Sequence, residues 1–210
     1  MLAYHELRDG ILRGELQVGT VLAETLIAER LQISRTPVRQ ALGLLLQEGL
    51  VEVGPRRQLI VRGFTPEHRE EILALREALE SVAVRRACEV MDVDDVDYLR
   101  LLLMRQRRAA ADAREDDFIR LDEEFHLKLA EAARLPILSA FLGQLRGFVR
   151  VVRLGSIRHP SHMVQVVEEH ERIVDALESR DADEALAALS EHLHTSDYAL
   201  AETVAAQETG

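Results

Sequence analysis

Cysteine is nearly missing from this chain. A single one, Cys88, stands among 210 residues. That excludes an internal disulfide framework and fits a reducing compartment. Aromatic residues are also few, 4% of the total, while Leu, Ala, Val, Arg and Glu dominate, a mix that suits helices better than sheets. No apolar run approaches the roughly 18 residues needed to span a bilayer. The opening "MLAYHELRDG" carries acids early and lacks a signal-peptide core. Repeats and low-complexity tracts are absent as well. These absences lead to the expectation of a cytoplasmic, soluble protein with no membrane attachment.

What is present is enough to fold. Apolar residues make up 47% of the chain, which supplies real cores and argues against wholesale disorder. The net charge of −11 is unevenly spread. Residues 1–64 carry eight arginines against seven acids, whereas residues 65–210 carry 18 basic groups against 30 acidic ones. The acidity belongs to the second part, and the first remains able to meet a phosphate backbone. The text changes character at "RGFTPEH": Gly63 loosens the chain, Thr65 suits a cap, and Pro66 suits a first helical position. Two domains are expected, 1–64 and 65–210.

In the first part, spacing predicts a helix over 3–13 with Leu7, Ile11 and Leu12 inward, stopped at Gly14. It predicts a second over 24–31 with Ile27, Ala28 and Leu31 on one face, and a third over 35–48 with Val38, Leu42 and Leu45 buried and Gly49 ending it. "LVEV" (50–53) and "LIVR" (59–62) flank "GPRRQ" as a two-strand ribbon with a basic tip. Six long helices follow, at about 66–90, 93–112, 115–134, 137–155, 161–179 and 182–206, with Pro136, Pro160 and Asp181 at three junctions and "DADE" as a capping-box variant. The fold class is therefore mostly α: a winged helix-turn-helix, then six long amphipathic helices.

"ISRTPVRQAL" at 33–42 carries the first constellation. Ser34 is placed to cap the third helix, and Pro37 costs little in a first turn whose N–H groups have no carbonyl partner. With Val38, Leu42 and Leu45 facing inward, Arg35, Thr36 and Arg39 project outward at the N-terminal end. A helix-turn-helix inserts this end into the DNA major groove. The planar fork of arginine bonds guanine O6 and N7 together, and Thr36 suits a phosphate or a thymine methyl. Two exposed arginines alone are equally what a solvated helix carries. The three-helix core, the tight "LQIS" turn and a ribbon tipped with Arg56 and Arg57 favour DNA.

Here the text resembles GntR-type bacterial transcription regulators over about residues 5–62, with "SRTPVRQAL" followed by "EGLV" as the specific signature. The resemblance implies contact with a double-stranded DNA operator by Ser34, Arg35, Thr36 and Arg39, helped by Arg56 and Arg57. Two positions depart from the family pattern: Thr25 stands where an arginine is frequent, and Gln58 where the wing usually has glycine.

The second constellation starts at "LDEEFHLKL", which puts Asp122 and His126 on one helical face. His170 in "EEHERI" and His192 in "SEHLH" lie on the last two helices. One carboxylate and three imidazoles suit a borderline divalent ion, Zn²⁺, Ni²⁺ or Mn²⁺, with room left for a ligand carboxylate or water. Spacing alone equally allows unrelated polar side chains. Residues 70–195 resemble the FadR-type ligand-binding domain called FCD, in its shorter six-helix variety, through "LREALE" (75–80) and "FHLKLAEAA" (125–133), and the resemblance implies that the six helices form an antiparallel all-α helical bundle. In metal-binding members the ligands fall at D-x-x-x-H and at two later histidines, which implies Asp122, His126, His170 and His192 here. The resemblance also implies a small organic acid as effector, set against the metal. Arg76 in "LREALE" is the candidate for its carboxylate. A surface pair with Glu80, four residues on, is the alternative, and spacing leaves both open. Arg146 and Arg150 are further basic candidates. Cys88 reads as core filling. His162 and His194 read as supporting or surface groups, since His194 is turned away from the His192 face.

The reading is a metabolite-responsive transcription regulator, a repressor acting as a homodimer, and not an enzyme. The alternative is a metal-dependent hydrolase using the Asp/His site. A third possibility is an acidic interaction module.

Overall fold

Helix α1 (Leu2–Leu12) buries Leu7, Ile11 and Leu12, the stripe that its spacing sets on one side. It packs on α3 (Arg35–Gln47), which buries Val38, Ala41, Leu42 and Leu45. Between them in sequence, α2 (Glu24–Leu31) turns into α3 through Gln32, which takes a left-handed conformation (φ 53°) while its N–H and that of Ile33 close the end of α2. This is a computed structural model. It describes residues 2–12, 14–63, 65–152 and 160–208, without the side chains of 66, 69, 147, 150–152, 160, 161 and 196–208.

Strands β1 (Val51–Val53) and β2 (Leu59–Val61) pair antiparallel, Val51 opposite Val61 and Val53 opposite Leu59. The turn between them puts Arg57 at φ 58° and bonds its N–H to the Gly54 carbonyl. An element that spacing did not suggest lies on the other side of β2: Val21 bridges Ile60, and Gly19, Thr20 and Leu22 exchange backbone bonds with Leu59 and Val61. One core, centred on Leu12, Leu42, Leu45 and Leu50, serves all of these elements.

Six helices follow among the described residues: α4 (Pro66–Val90), α5 (Val93–Ala111), α6 (Glu115–Ala132), α7 (Pro136–Val152), α8 (Pro160–Glu178) and α9 (Ala182–Glu208). Most ends lie within a residue or two of the spacing-based ones. Short links make α5 and α6, and α8 and α9, antiparallel neighbours, and α5 also lies on α8. Phe118, Phe125, Leu99, Leu102, Met163 and Ile173 are fully buried in this second core. Cys88 lies there too, and burial pushes its thiol pKa up. Caps fix the helix ends. Asp92 and Asp95 form a reciprocal capping box on α5, Asp181 accepts from the Glu184 N–H, and Arg180 donates to the Cys88 and Met91 carbonyls at the end of α4. No described helix is long and apolar enough to cross a membrane.

Grouping by proximity gives two units, one of residues up to Glu70 together with the last part of α7 from Gly147, and one starting at Glu71. Each unit carries its own candidate site.

Candidate metal centre and nucleic-acid interface

Asp122 and His126 stand one turn apart on α6, His170 sits on α8 and His192 on α9, so three helices supply the cluster. All four side chains are buried, and one ligating atom from each lies within 4.8 Å of the others. Nε2 of His192 is 3.3 Å from Nε2 of both His126 and His170, and His170 Nε2 is 3.7 Å from Asp122 Oδ1. Nitrogens bound about 2.0–2.1 Å from a shared ion stand roughly 2.8–3.0 Å apart at octahedral angles and roughly 3.3–3.4 Å apart at tetrahedral ones. The histidine spacing therefore fits a divalent cation.

The far side of each ring is held as well. His126 Nδ1 meets Glu80 Oε2 at 2.7 Å, His192 Nδ1 meets Glu169 Oε2 at 2.8 Å, and His170 Nδ1 meets the Gln106 side-chain oxygen at 3.0 Å. An acceptor at Nδ1 puts the ring proton there and turns the Nε2 lone pair toward the centre. Phe125 stacks on His170 with centroids 4.0 Å apart and an angle of 14°, which fixes that ring plane. Charge points the same way. Among the buried side chains around the cluster, Glu80, Asp122 and Glu169 are acids and Arg76 is a base, with Arg146 as a second base close by, which leaves a net negative charge for a cation to meet. Asp122, His126, His170 and His192 thus fit a metal on geometry, ring orientation and charge.

Arg76 lies inside this site rather than at the surface, which corrects the surface-pair alternative. It is 5% exposed, donates from Nε to Glu80 Oε1 at 2.6 Å, and its Nη2 is 2.7 Å from His126 Nε2. The pairing with Glu80 is real, but it occurs in the interior because α4 turns that face toward α6. Arg146 shares the neighbourhood. Its guanidinium is pulled down to about 10 by burial, against the attraction of Glu80, Asp122 and Glu123, so it stays charged at neutral pH. Its Nη1 is buried without a hydrogen bond among the described residues. Arg150 lies outside the described side chains. His194 is exposed and bonds the Ser190 carbonyl, away from the cluster as its spacing implied. Gln106 and Glu169 do not stand out in the sequence, where only the adjacency of Glu169 to His170 is a hint, and Glu80 stands out there only as the partner of Arg76, not of His126.

In the first unit, Ser34, Arg35, Thr36 and Arg39 are all exposed at the front of α3, and Arg56 and Arg57 are exposed at the tip of the ribbon. The capping expectation for Ser34 needs correction. Ser34 occupies the N-cap position, yet its hydroxyl makes no cap hydrogen bond. A cap accepts from the second or third helical N–H, and the third residue is Pro37, which has none. Arg39 is engaged: its Nε and Nη2 fork onto the two Glu24 oxygens at 2.8 and 2.7 Å. The hydrogen bond with Arg39 holds the Glu24 carboxyl below its usual range.

Residues 2–61 match the family described as bacterial regulatory proteins, gntR family, and residues 71–195 match the FCD domain. The HTH-type transcriptional repressor RspR of Escherichia coli is 30% identical over 90% of this chain and 83% of its own length. An HTH-type transcriptional regulator in an unstable DNA locus of Streptomyces ambofaciens is 35% identical over 90% and 80%. The solved structure of E. coli McbR/YncC superposes with a TM-score of 0.80 over 96% of each chain at 24% identity, a likeness of fold.

Proposed function

Since the chain belongs to the GntR family of bacterial transcriptional regulators and carries an FCD domain, we propose that it is a metabolite-responsive repressor whose bundle binds one divalent ion and a small organic acid. Residues 1–64 serve the operator and residues 65–210 serve the effector and the dimer. The observation that carries the sensing half is the convergence of three Nε2 atoms on Asp122 with an acceptor behind every ring. Asp122, His126, His170 and His192 hold the ion, which is Zn²⁺, Ni²⁺ or Mn²⁺ by donor type. When bound, the ion supplies a Lewis-acid anchor for a carboxylate oxygen. Arg76 and the charged Arg146 favour the same anionic ligand.

For the operator, Arg35, Thr36 and Arg39 read the major groove, Ser34 meets the backbone, and Arg56 and Arg57 add wing contacts. A homodimer is required so that two recognition helices meet half-sites about one turn, roughly 34–36 Å, apart. Effector binding shifts the population of dimer geometries between those that fit the operator and those that do not. Hydrolysis fits poorly: Glu80 and Glu169, the buried acids closest to a general-base role, are each occupied by a histidine Nδ1.

Elemental analysis of protein purified without chelator should find one divalent ion per chain, largely lost in His170→Ala. Small carboxylates should raise the melting temperature only when the ion is present. Metal-free protein from that purification would remove the sensing half of the proposal and leave the DNA-binding half standing.

A further inference from the structure

Arg76 sits where ligand binding alone does not require it. A guanidinium has donors only, so in its 2.7 Å contact with Arg76 Nη2, His126 Nε2 is the acceptor. The ring proton is then on Nδ1, directed at Glu80 Oε2. An imidazole nitrogen has one lone pair, and Arg76 uses the pair through which His126 would ligate an ion. We propose that Arg76 and the divalent ion take turns on His126 Nε2: Arg76 is a tethered cation that must leave the ring for the site to load, and its released Nη2 then becomes the anchor for the effector's carboxylate.

Glu80 makes this exchange local. One of its oxygens grips Arg76 Nε at 2.6 Å and the other grips His126 Nδ1 at 2.7 Å. Arg76 and Glu80 are one helical turn apart on α4. Losing the His126 contact leaves the Nε–Glu80 bond intact, so the guanidinium pivots about Glu80 without leaving the site. The buried positive charge stays beside the cluster, and His126 keeps the tautomer that ligation needs. Nη2 carries two hydrogens, and the one that His126 held turns toward a carboxylate once His126 has passed to the ion. The inference rests on the metal- and acid-binding reading above, and it adds the exchange.

The test titrates zinc into metal-free protein in competition with a chromophoric chelator, for the wild type and Arg76→Ala, and follows arginine side-chain ¹⁵N signals of the wild type. Arg76→Ala should bind zinc about tenfold or more tightly, because a charge-assisted hydrogen bond no longer competes. Removing a nearby positive charge would also tighten binding, so the wild-type spectrum decides. The Arg76 Nη signals should move in proportion to zinc up to one equivalent, and acetate should move them further in the zinc-loaded protein. Zinc uptake with those signals unmoved, or equal affinity in the folded variant, would overturn the exchange alone. A wild type that takes up no zinc would overturn the metal reading together with it. Should Arg76→Ala not fold, the wild-type spectra still distinguish exchange from its absence.

Discussion

Arg39 is exposed at the front of α3, yet it does not wait unpaired: Glu24 holds its fork in the two-bond geometry that guanine also offers. Arg39→Ala should weaken operator binding by roughly 1–3 kcal/mol, measured by gel shift at fixed salt. Glu24→Gln should act differently. It frees Arg39 for any phosphate, so binding to unrelated DNA should rise, its salt dependence should steepen by about one charge, and discrimination should fall. Gln106→Ala should lower metal affinity about 10–100-fold by releasing the His170 ring, read by chelator competition. These residues also mark how far sequence goes. Asp122, His126, His170 and His192 were legible through D-x-x-x-H spacing and family likeness. Their supports were not, because His126 meets Glu80 across 46 residues and His170 meets Gln106 across 64. Nothing local singles out one Glu or Gln for such a role. Glu24 was hidden in the same way, as an ordinary acid in a first helical turn.

At the scale of elements, helix limits were readable because prolines, an Asp cap and glycines punctuate them, and the apolar stripe of α3 was readable except for Ala41, which the structure also buries. The Val21–Ile60 bridge was not, since a single backbone pairing leaves no alternation to detect. The α5 start shows what a cap contributes. Burial pushes the Asp95 carboxyl up, but Lys128, the Asp92 N–H and Arg134 outweigh that and leave it lowered. A folded pKa below the unfolded value gives stability that is present above about pH 4 and is lost as pH falls through the folded value. Asp95→Asn should therefore cost stability at pH 7, about 1–2 kcal/mol, and lose less than wild type on going from pH 7 to pH 3, as measured by urea midpoints. The α2–α3 turn holds a reserve. Gln32 adopts φ 53°, and Gln32→Gly should stabilise the turn by roughly 0.5–1 kcal/mol, seen as slower hydrogen exchange at the end of α2.

Among the described residues of the whole molecule, the two cores have no buried residue in common, and the Asp/His cluster belongs wholly to the second unit. Thermal unfolding should then respond to metal unevenly. Stripping the ion should lower the bundle's transition, by about 4 kcal/mol of stability if the free ion had stood at a thousand times its dissociation constant, and leave that of the winged helix in place. Calorimetry with and without chelator checks this.

The bare front of α3 carries one more implication. With no hydroxyl cap from Ser34 and a proline at the third position, the amides of Arg35 and Thr36 keep their hydrogens pointed outward along the positive end of the helix dipole. Donors of that kind survive every side-chain truncation. An alanine scan of this helix will consequently add up to less than its true share of the binding energy, and the missing part will surface only when the amide itself is replaced, for instance by an ester linkage at Thr36.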